Sequence, residues 1–308
     1  MTIRVGTRGS QLAVAQSETV AAAIERATGE NVELVKITTT GDTSSAPVTQ
    51  LGVGVFVNQL RNALHDDEID VAVHSFKDLP TDQPEDLEIA AVPPRADPRD
   101  ILLGSQNRTL DELPAGARIG TGSPRRAAQL LAMERGWEVV PIRGNIDSRS
   151  ARVGKDLDAV VLAAAGFHRV GRESEVTEFI DPLTMLPAPA QGALAVECRK
   201  TDKTNAAILY KLNDRNAEFA TAAERAILAR LEAGCSAPVA ALADTSPADE
   251  DNPEALDLYL RALVAAEDGS RVDKLSVTAT VTKPEEAATV GTRLAEELLD
   301  AGVTLVRK

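Results

Sequence analysis

The chain has 308 residues, 44% of them hydrophobic and 26% charged, long enough for two or three globular units with separate cores. Its net charge is −14, from 47 acidic against 33 basic residues, and such a surface as a whole repels nucleic acid and anionic lipid. No apolar run of about 18 residues occurs, and the start "MTIRVGTRGS" lacks a basic stretch and an apolar core, so no membrane span or signal peptide is expected and the protein is read as cytoplasmic.

Two cysteines, Cys198 and Cys235, cannot build a disulfide framework, and a reducing compartment keeps both as thiols. Three histidines, His65, His74 and His168, form no Cys/His cluster, so no metal site is expected. Only nine of the basic residues are lysine, and an acidic, lysine-poor surface suits a salt-rich, halophilic cytoplasm.

In chain order, "TIRV" predicts a strand leading into a helix from about Ser10 to Ala27. "VELVKIT" reads as a strand, "VFVNQLRNALHD" as a helix and "IDVAVH" as a buried strand. A second block follows the proline-rich "VPPRADPRD": "ARIGT", a helix from Ser123, "WEVVPI", another helix, then "LDAVVLAAAG" as an apolar strand. Uninterrupted apolar strands of this kind imply α/β sheets covered by helices on both faces. The segments "VPPRADP" and "LPAPAQG" read as paired crossings between two lobes, with a cleft and a hinge expected there. The last third predicts a charged helix from about Arg215 to Glu232, strands, an exposed acidic loop "DTSPADEDNP" and a final helix, which is an α+β domain.

The cationic residues stand at element ends. In "GTGSPRRAAQL", Ser123 is an expected N-cap and Pro124 the first helical residue, so Arg125 and Arg126 fall in the first turn. Cations there oppose the helix macrodipole, at about 0.3 to 1 kcal/mol each. Either they help the free N–H groups receive a carboxylate or phosphate, or they are solvent-facing partners of nearby acids. Arg8, Arg143, Arg149 and Arg169 follow strands in the same way, where ligands of open α/β sheets sit. "IDVAVHSFKDLP" carries a strand into Lys77 and Asp78, which form either a surface ion pair or a site in which the carboxylate handles protons. "RLEAGCSAP" places Cys235 in a turn of small residues, a setting for a thiol that stays reachable rather than buried.

"HSFKDLP", "GTGSPRR", "IRGNIDSR", "LPAPAQGALAVE", "TAAERAILARLEAGCSAPV" and "LRALVAAEDG" occur in this order, and the chain closely resembles the hydroxymethylbilane synthase (porphobilinogen deaminase) family along essentially its whole length. The resemblance implies two periplasmic-binding-protein-like (type II) lobes with mixed sheets, 1–93 with 190–211 and 98–186, and a C-terminal α+β domain, 215–308. It implies a dipyrromethane cofactor joined by a thioether to Cys235. Onto this primer four porphobilinogen molecules are condensed with loss of ammonia, and hydrolysis then releases the linear tetrapyrrole. Asp78 matches the family's catalytic aspartate. Arg8, Ser10, Lys77, Thr121, Ser123, Arg125, Arg126, Arg143, Arg149, Arg169 and Gln191 match positions that bind cofactor and substrate carboxylates. A monomer is implied as well.

The segment Gly41 to Gly54 reads as a lid, with Val53 and Gln59 where the family commonly has a lysine and a glutamate. Cys198 reads as a buried small apolar residue. Two other classes are compatible with parts of the sequence: a two-lobed binding protein without chemistry, and an enzyme using Cys235 as a recurring nucleophile. The second lacks a nearby histidine to activate the thiol.

Overall fold

In the computed structural model the alternating strands and helices become two sheets of one shared topology. The structure describes residues 2–37, 57–233, 237–249 and 252–303. Its strands are β1 (Thr2–Thr7), β2 (Asn31–Lys36), β3 (Val71–Ser75), β4 (Leu87–Ala91), β5 (Asp100–Gly104), β6 (Arg118–Thr121), β7 (Glu138–Pro141), β8 (Ala159–Ala163), β9 (Glu178–Phe179), β10 (Leu194–Arg199), β11 (Val239–Asp249), β12 (Asn252–Ala265) and β13 (Val272–Val281). Its α-helices among the described residues are α1 (Gln11–Thr28), α2 (Asn58–His65), α3 (Pro124–Ala132), α4 (Ile146–Ser150), α5 (Ala164–Arg169), α6 (Lys203–Tyr210), α7 (Arg215–Arg230) and α8 (Pro284–Asp300). The chain divides into two units, 1–96 with 193–218 and 97–192 with 219–308.

The first unit holds a five-stranded sheet in the order β2-β1-β3-β10-β4. β1 runs parallel to β2 and β3, while β10 is antiparallel to β3 and β4. Helix α1 begins where Ser10 Oγ accepts the Ala13 N–H at 3.3 Å, and ends at Gly29, whose φ of 72° favours a residue without a side chain. Val20 and Ile24, one turn apart, press against Ile3, Val5, Val71 and Val196. Cys198 is fully buried in this core, and burial pushes its thiol up to about 12. It is an inert packing residue, as its apolar strand suggested.

The second unit repeats the plan with a sheet in the order β7-β6-β8-β5-β9. Here β6 is parallel to β7 and β8, and β5 is antiparallel to β8 and β9. Ser123 caps α3 with Pro124 at its first position, as expected from the sequence. The same unit contains a three-stranded antiparallel sheet, β11-β12-β13, whose inner face packs on α7 and α8 through Phe219, Ala223, Ile227, Leu258, Leu294 and Leu298. A second small core joins this sheet to the lobe: Ala128 of α3 and Leu186 meet Ala240, Leu242, Leu263 and Ala265.

Two expectations change. The run "LDAVVLAAAG" is not one strand, because β8 stops at Ala163 and residues from Ala164 to Arg169 are helical. Four small apolar residues satisfy a buried helix turn as readily as a strand, and periodicity alone does not separate them.

The acidic "DTSPADEDNP" is not a loop up to Asp249, since Asp244 to Asp249 continue β11 and pair with β12. The parity of the hydrogen bonds explains how a proline fits there. Ala241 and Ala243 point their N–H groups away from β12, to Pro187 O at 3.1 Å and Glu224 Oε1 at 2.8 Å. Pro247 has the same parity, so its missing N–H costs the ladder nothing.

Candidate active site

In the first unit the ends of β1 and β3 deliver side chains to one shallow depression, lined by Arg8, Gln16, Leu60, His74, Ser75 and Asp78. After β3 the chain makes a single 3-10 turn, Phe76–Asp78, with Phe76 buried beneath it and its N–H bonded to Ala193 O at 3.1 Å. That anchor turns Asp78 outward. Its carboxylate is exposed and makes no ion pair or hydrogen bond with a described residue, so the surface pair with Lys77 that the sequence allowed is absent. An exposed carboxylate lining the same depression as Arg8 is suited to accept protons and to stabilise a neighbouring cation. Gln16 Nε2 donates to Ser75 Oγ at 2.8 Å, which fixes α1 against this turn. Ser10 acts as the α1 cap, and Lys77 is half-buried next to Asp78.

The second unit gathers Thr121, Ser123, Arg125, Arg126, Arg169 and Gln191. Thr121 Oγ1 accepts the Ser123 N–H at 3.2 Å. Arg125 and Arg126 are not solvent-facing, being only 3% and 5% exposed, and the anion both hold is Asp100. Arg126 donates through Nε and Nη2 to Asp100 Oδ1 at 3.0 and 2.8 Å, and Arg125 Nη1 lies 2.8 Å from Asp100 Oδ2. Gln191 Nε2 donates to the same Oδ1 at 2.8 Å.

Burial alone would push Asp100 up; the guanidinium charges of Arg125 and Arg126 reverse this and hold its carboxyl below the usual carboxylate range. Two guanidinium groups face one carboxylate, and Arg125 Nε and Asp100 Oδ2 remain buried without a well-aligned hydrogen bond. The cluster therefore keeps one positive charge in excess.

Arg169, at the end of α5, is the more exposed case of the same imbalance. Its Nη2 donates to Gly192 O at 2.6 Å and meets no carboxylate among the described residues, and burial lowers it to about 10. Arg143 is exposed; Arg149 is half-buried and donates Nε to Asn145 O at 3.2 Å. Cys235, Val53 and the proposed lid lie outside the described residues, while Gln59 is on α2.

Comparison with known proteins gives this geometry its setting. Residues 3–207 match the family described as porphobilinogen deaminase, dipyromethane cofactor binding domain, and residues 219–300 match its C-terminal domain. The chain belongs to the porphobilinogen deaminase family. Porphobilinogen deaminase of Nocardia farcinica is 52% identical over 97% of this chain and 86% of its own length. Porphobilinogen deaminase 1 of Streptomyces coelicolor is 52% identical over 97% and 95%. Among solved structures, a periplasmic substrate-binding protein of an ABC transporter from Coxiella burnetii is similar at 15% identity, covering 70% of this chain and 93% of that one with a TM-score of 0.44.

The residues fit the cofactor that the porphobilinogen deaminase family's domain takes its name from. Dipyrromethane carries several carboxylates, and the second unit holds cations in excess of acids at Asp100 and at Arg169. Gln16, Asp100, Glu197 and Glu224 are among the buried groups that escaped the sequence reading. Asp100 and Glu197 had a signal, each being the lone acid inside an apolar strand, "RDILL" and "LAVEC". Glu224, on an already charged helix, had none. It accepts the N–H of Ala190 at 2.6 Å and of Ala243 at 2.8 Å, pinning a buried alanine whose φ is 59°.

Proposed function

We propose that the chain is a hydroxymethylbilane synthase, a transferase that joins four porphobilinogen molecules head to tail and releases the linear tetrapyrrole by hydrolysis. The observation that carries this reading is a cation excess, buried or half-buried, in a chain of net charge −14: Arg169 with only a carbonyl partner among the described residues, and two arginines against one aspartate. A polyanionic substrate chain explains why guanidinium groups are kept there. Dipyrromethane, when bound, supplies the pyrrole carbon to which the first unit is joined, and Cys235 is its proposed thioether attachment point.

Arg8, Arg125, Arg126, Arg143, Arg149 and Arg169 are proposed to bind the acetate and propionate groups, with Ser10, Lys77, Thr121, Ser123 and Gln191 assisting. In each round the carbon–nitrogen bond of porphobilinogen breaks and ammonia leaves; a carbon–carbon bond then forms to the terminal ring, whose ring proton departs. Asp78 stabilises the positive charge left on the substrate and takes that proton. Its exposure on a rigid turn lets it serve each round in the same place.

The protein is further proposed to work as a cytoplasmic monomer without metal, nucleic-acid or membrane partners, from a salt-adapted organism. Intact mass tests the central reading. The isolated protein should exceed its polypeptide mass by one dipyrromethane, and Cys235→Ser should lack the increment; an active, unmodified chain overturns it. Activity that rises with salt supports the halophilic origin, and full activity in dilute buffer refutes it.

A further inference from the structure

One buried acid in the first unit has no part in the chemistry above. Glu197, in β10 between Val196 and Cys198, is 0% exposed, and a carboxylate so placed is costly unless every lone pair is used. Arg61 donates Nε and Nη2 at 3.1 and 2.8 Å, Gln83 donates Nε2 at 2.7 Å, and His74 Nε2 lies 3.1 Å from Oε2. Burial would push Glu197 up; the hydrogen bonds from His74 and Arg61 reverse this and hold it at about 2. An ionised carboxylate only accepts, so Nε2 of His74 must carry the hydrogen.

His74 is the residue through which this cluster reaches the site. It pairs with Ala195 in the register of β3 and β10, lies four residues before Asp78, and lines the same depression. Its other ring nitrogen, Nδ1, makes no hydrogen bond with a described residue. The neighbouring strand residues Val71, Ala72 and Val73 are apolar and fully or nearly buried, so packing alone asks for no imidazole here. Arg61 and Gln83 already satisfy Glu197 as a structural group.

We propose that Glu197 is a positioning residue for the condensation: it locks His74 as the Nε2–H tautomer, which leaves Nδ1 beside Asp78 as an acceptor for a pyrrole N–H. The inference rests on the assignment of Asp78 as the catalytic carboxylate. Glu197 does its work through the ring, and a neutral amide in its place, able to donate as well as accept, no longer dictates the tautomer.

The test uses the holoenzyme with porphobilinogen and the chain labelled with 15N at its three histidines. The imidazole spectrum of the parent should show His74 protonated at Nε2, and Glu197→Gln should mix the tautomers. In Glu197→Gln, kcat should fall about 10- to 100-fold, with KM changed less than about threefold. His74→Gln keeps a donor for Glu197, so it should fold normally yet lose kcat to the same extent, and the double variant should be no slower than either single one.

A folded Glu197→Gln or His74→Gln with parental kcat overturns the proposal, as do losses that multiply in the double variant or a parent spectrum with Nε2 unprotonated. Should Glu197→Gln fail to fold, the parent spectrum and His74→Gln decide alone. A parent that converts no porphobilinogen sinks the underlying reaction instead; parental turnover with an unaffected His74→Gln sinks only this inference.

Discussion

After β3 in the first unit, the chain makes one tight turn and leaves Asp78 at the surface; after the corresponding strand β8 in the second, it enters α5 and carries Arg169 into partial burial. The sheets that deliver them share a topology, three parallel strands followed by two antiparallel pairings. Each also buries one carboxylate on its first antiparallel strand, Glu197 in β10 and Asp100 in β5, and neutralises it with arginine. The difference lies in which sign is left over. Among the described residues the first unit leaves the exposed carboxylate of Asp78 without a partner, whereas the second keeps guanidinium groups in excess of carboxylates at Asp100 and Arg169.

Asp78→Asn breaks the comparison most severely. Turnover should drop about 100- to 10,000-fold, while Tm should move by less than about 2 °C because the side chain is exposed and has no partner among the described residues; a large Tm loss would show that Asp78 is structural. Asp100→Ala should do the reverse in kind. It strands two buried guanidinium groups, so the unfolding free energy should fall by about 3 to 5 kcal/mol in urea titration; a change under about 1 kcal/mol would show the cluster relaxing to solvent.

Acid sharpens the likeness between the units. Glu197 has an ordinary value of 4.5 and a folded value of about 2, so the stability it contributes is present above about pH 4.5 and lost as pH falls towards 2. The loss should be on the order of 3 kcal/mol, and Asp100, also held down, adds to it below its ordinary 3.8. Unfolding measured between pH 5 and 2 should be flatter in Glu197→Gln than in the parent. The smallest effect belongs to Leu183→Ser, a substitution at a side chain 76% exposed, which should change stability by less than about 0.5 kcal/mol.

Much of this was legible in the residues. Ser123 before Pro124, and Ser10 before an amphipathic run, announced their helices because capping is local chemistry. The stretch around Asp78 left a surface ion pair and a proton-handling carboxylate equally open, and only the resemblance of "HSFKDLP" singled the aspartate out. What could not be read was pairing at long range. Arg126 and Asp100 are 26 residues apart, and Arg61 and Glu197 are 136 apart, so no local pattern says that these charges meet. For Arg125 and Arg126, local reasoning left an external anion and a nearby acid both open, and could not say that the acid is Asp100 or that the pairing is buried.

The outer border of β11 has a consequence for how these molecules behave when crowded. Its first half is covered, with Ala241 and Ala243 bonded to Pro187 and Glu224; its second half presents Pro247 between Asp244 and Asp249. A border whose row of donors is broken at Pro247 gives a neighbouring molecule a poorer template for adding another strand. The stretch that looked like a loop thus interrupts, at one residue, the row of donors that sheet-to-sheet growth would use.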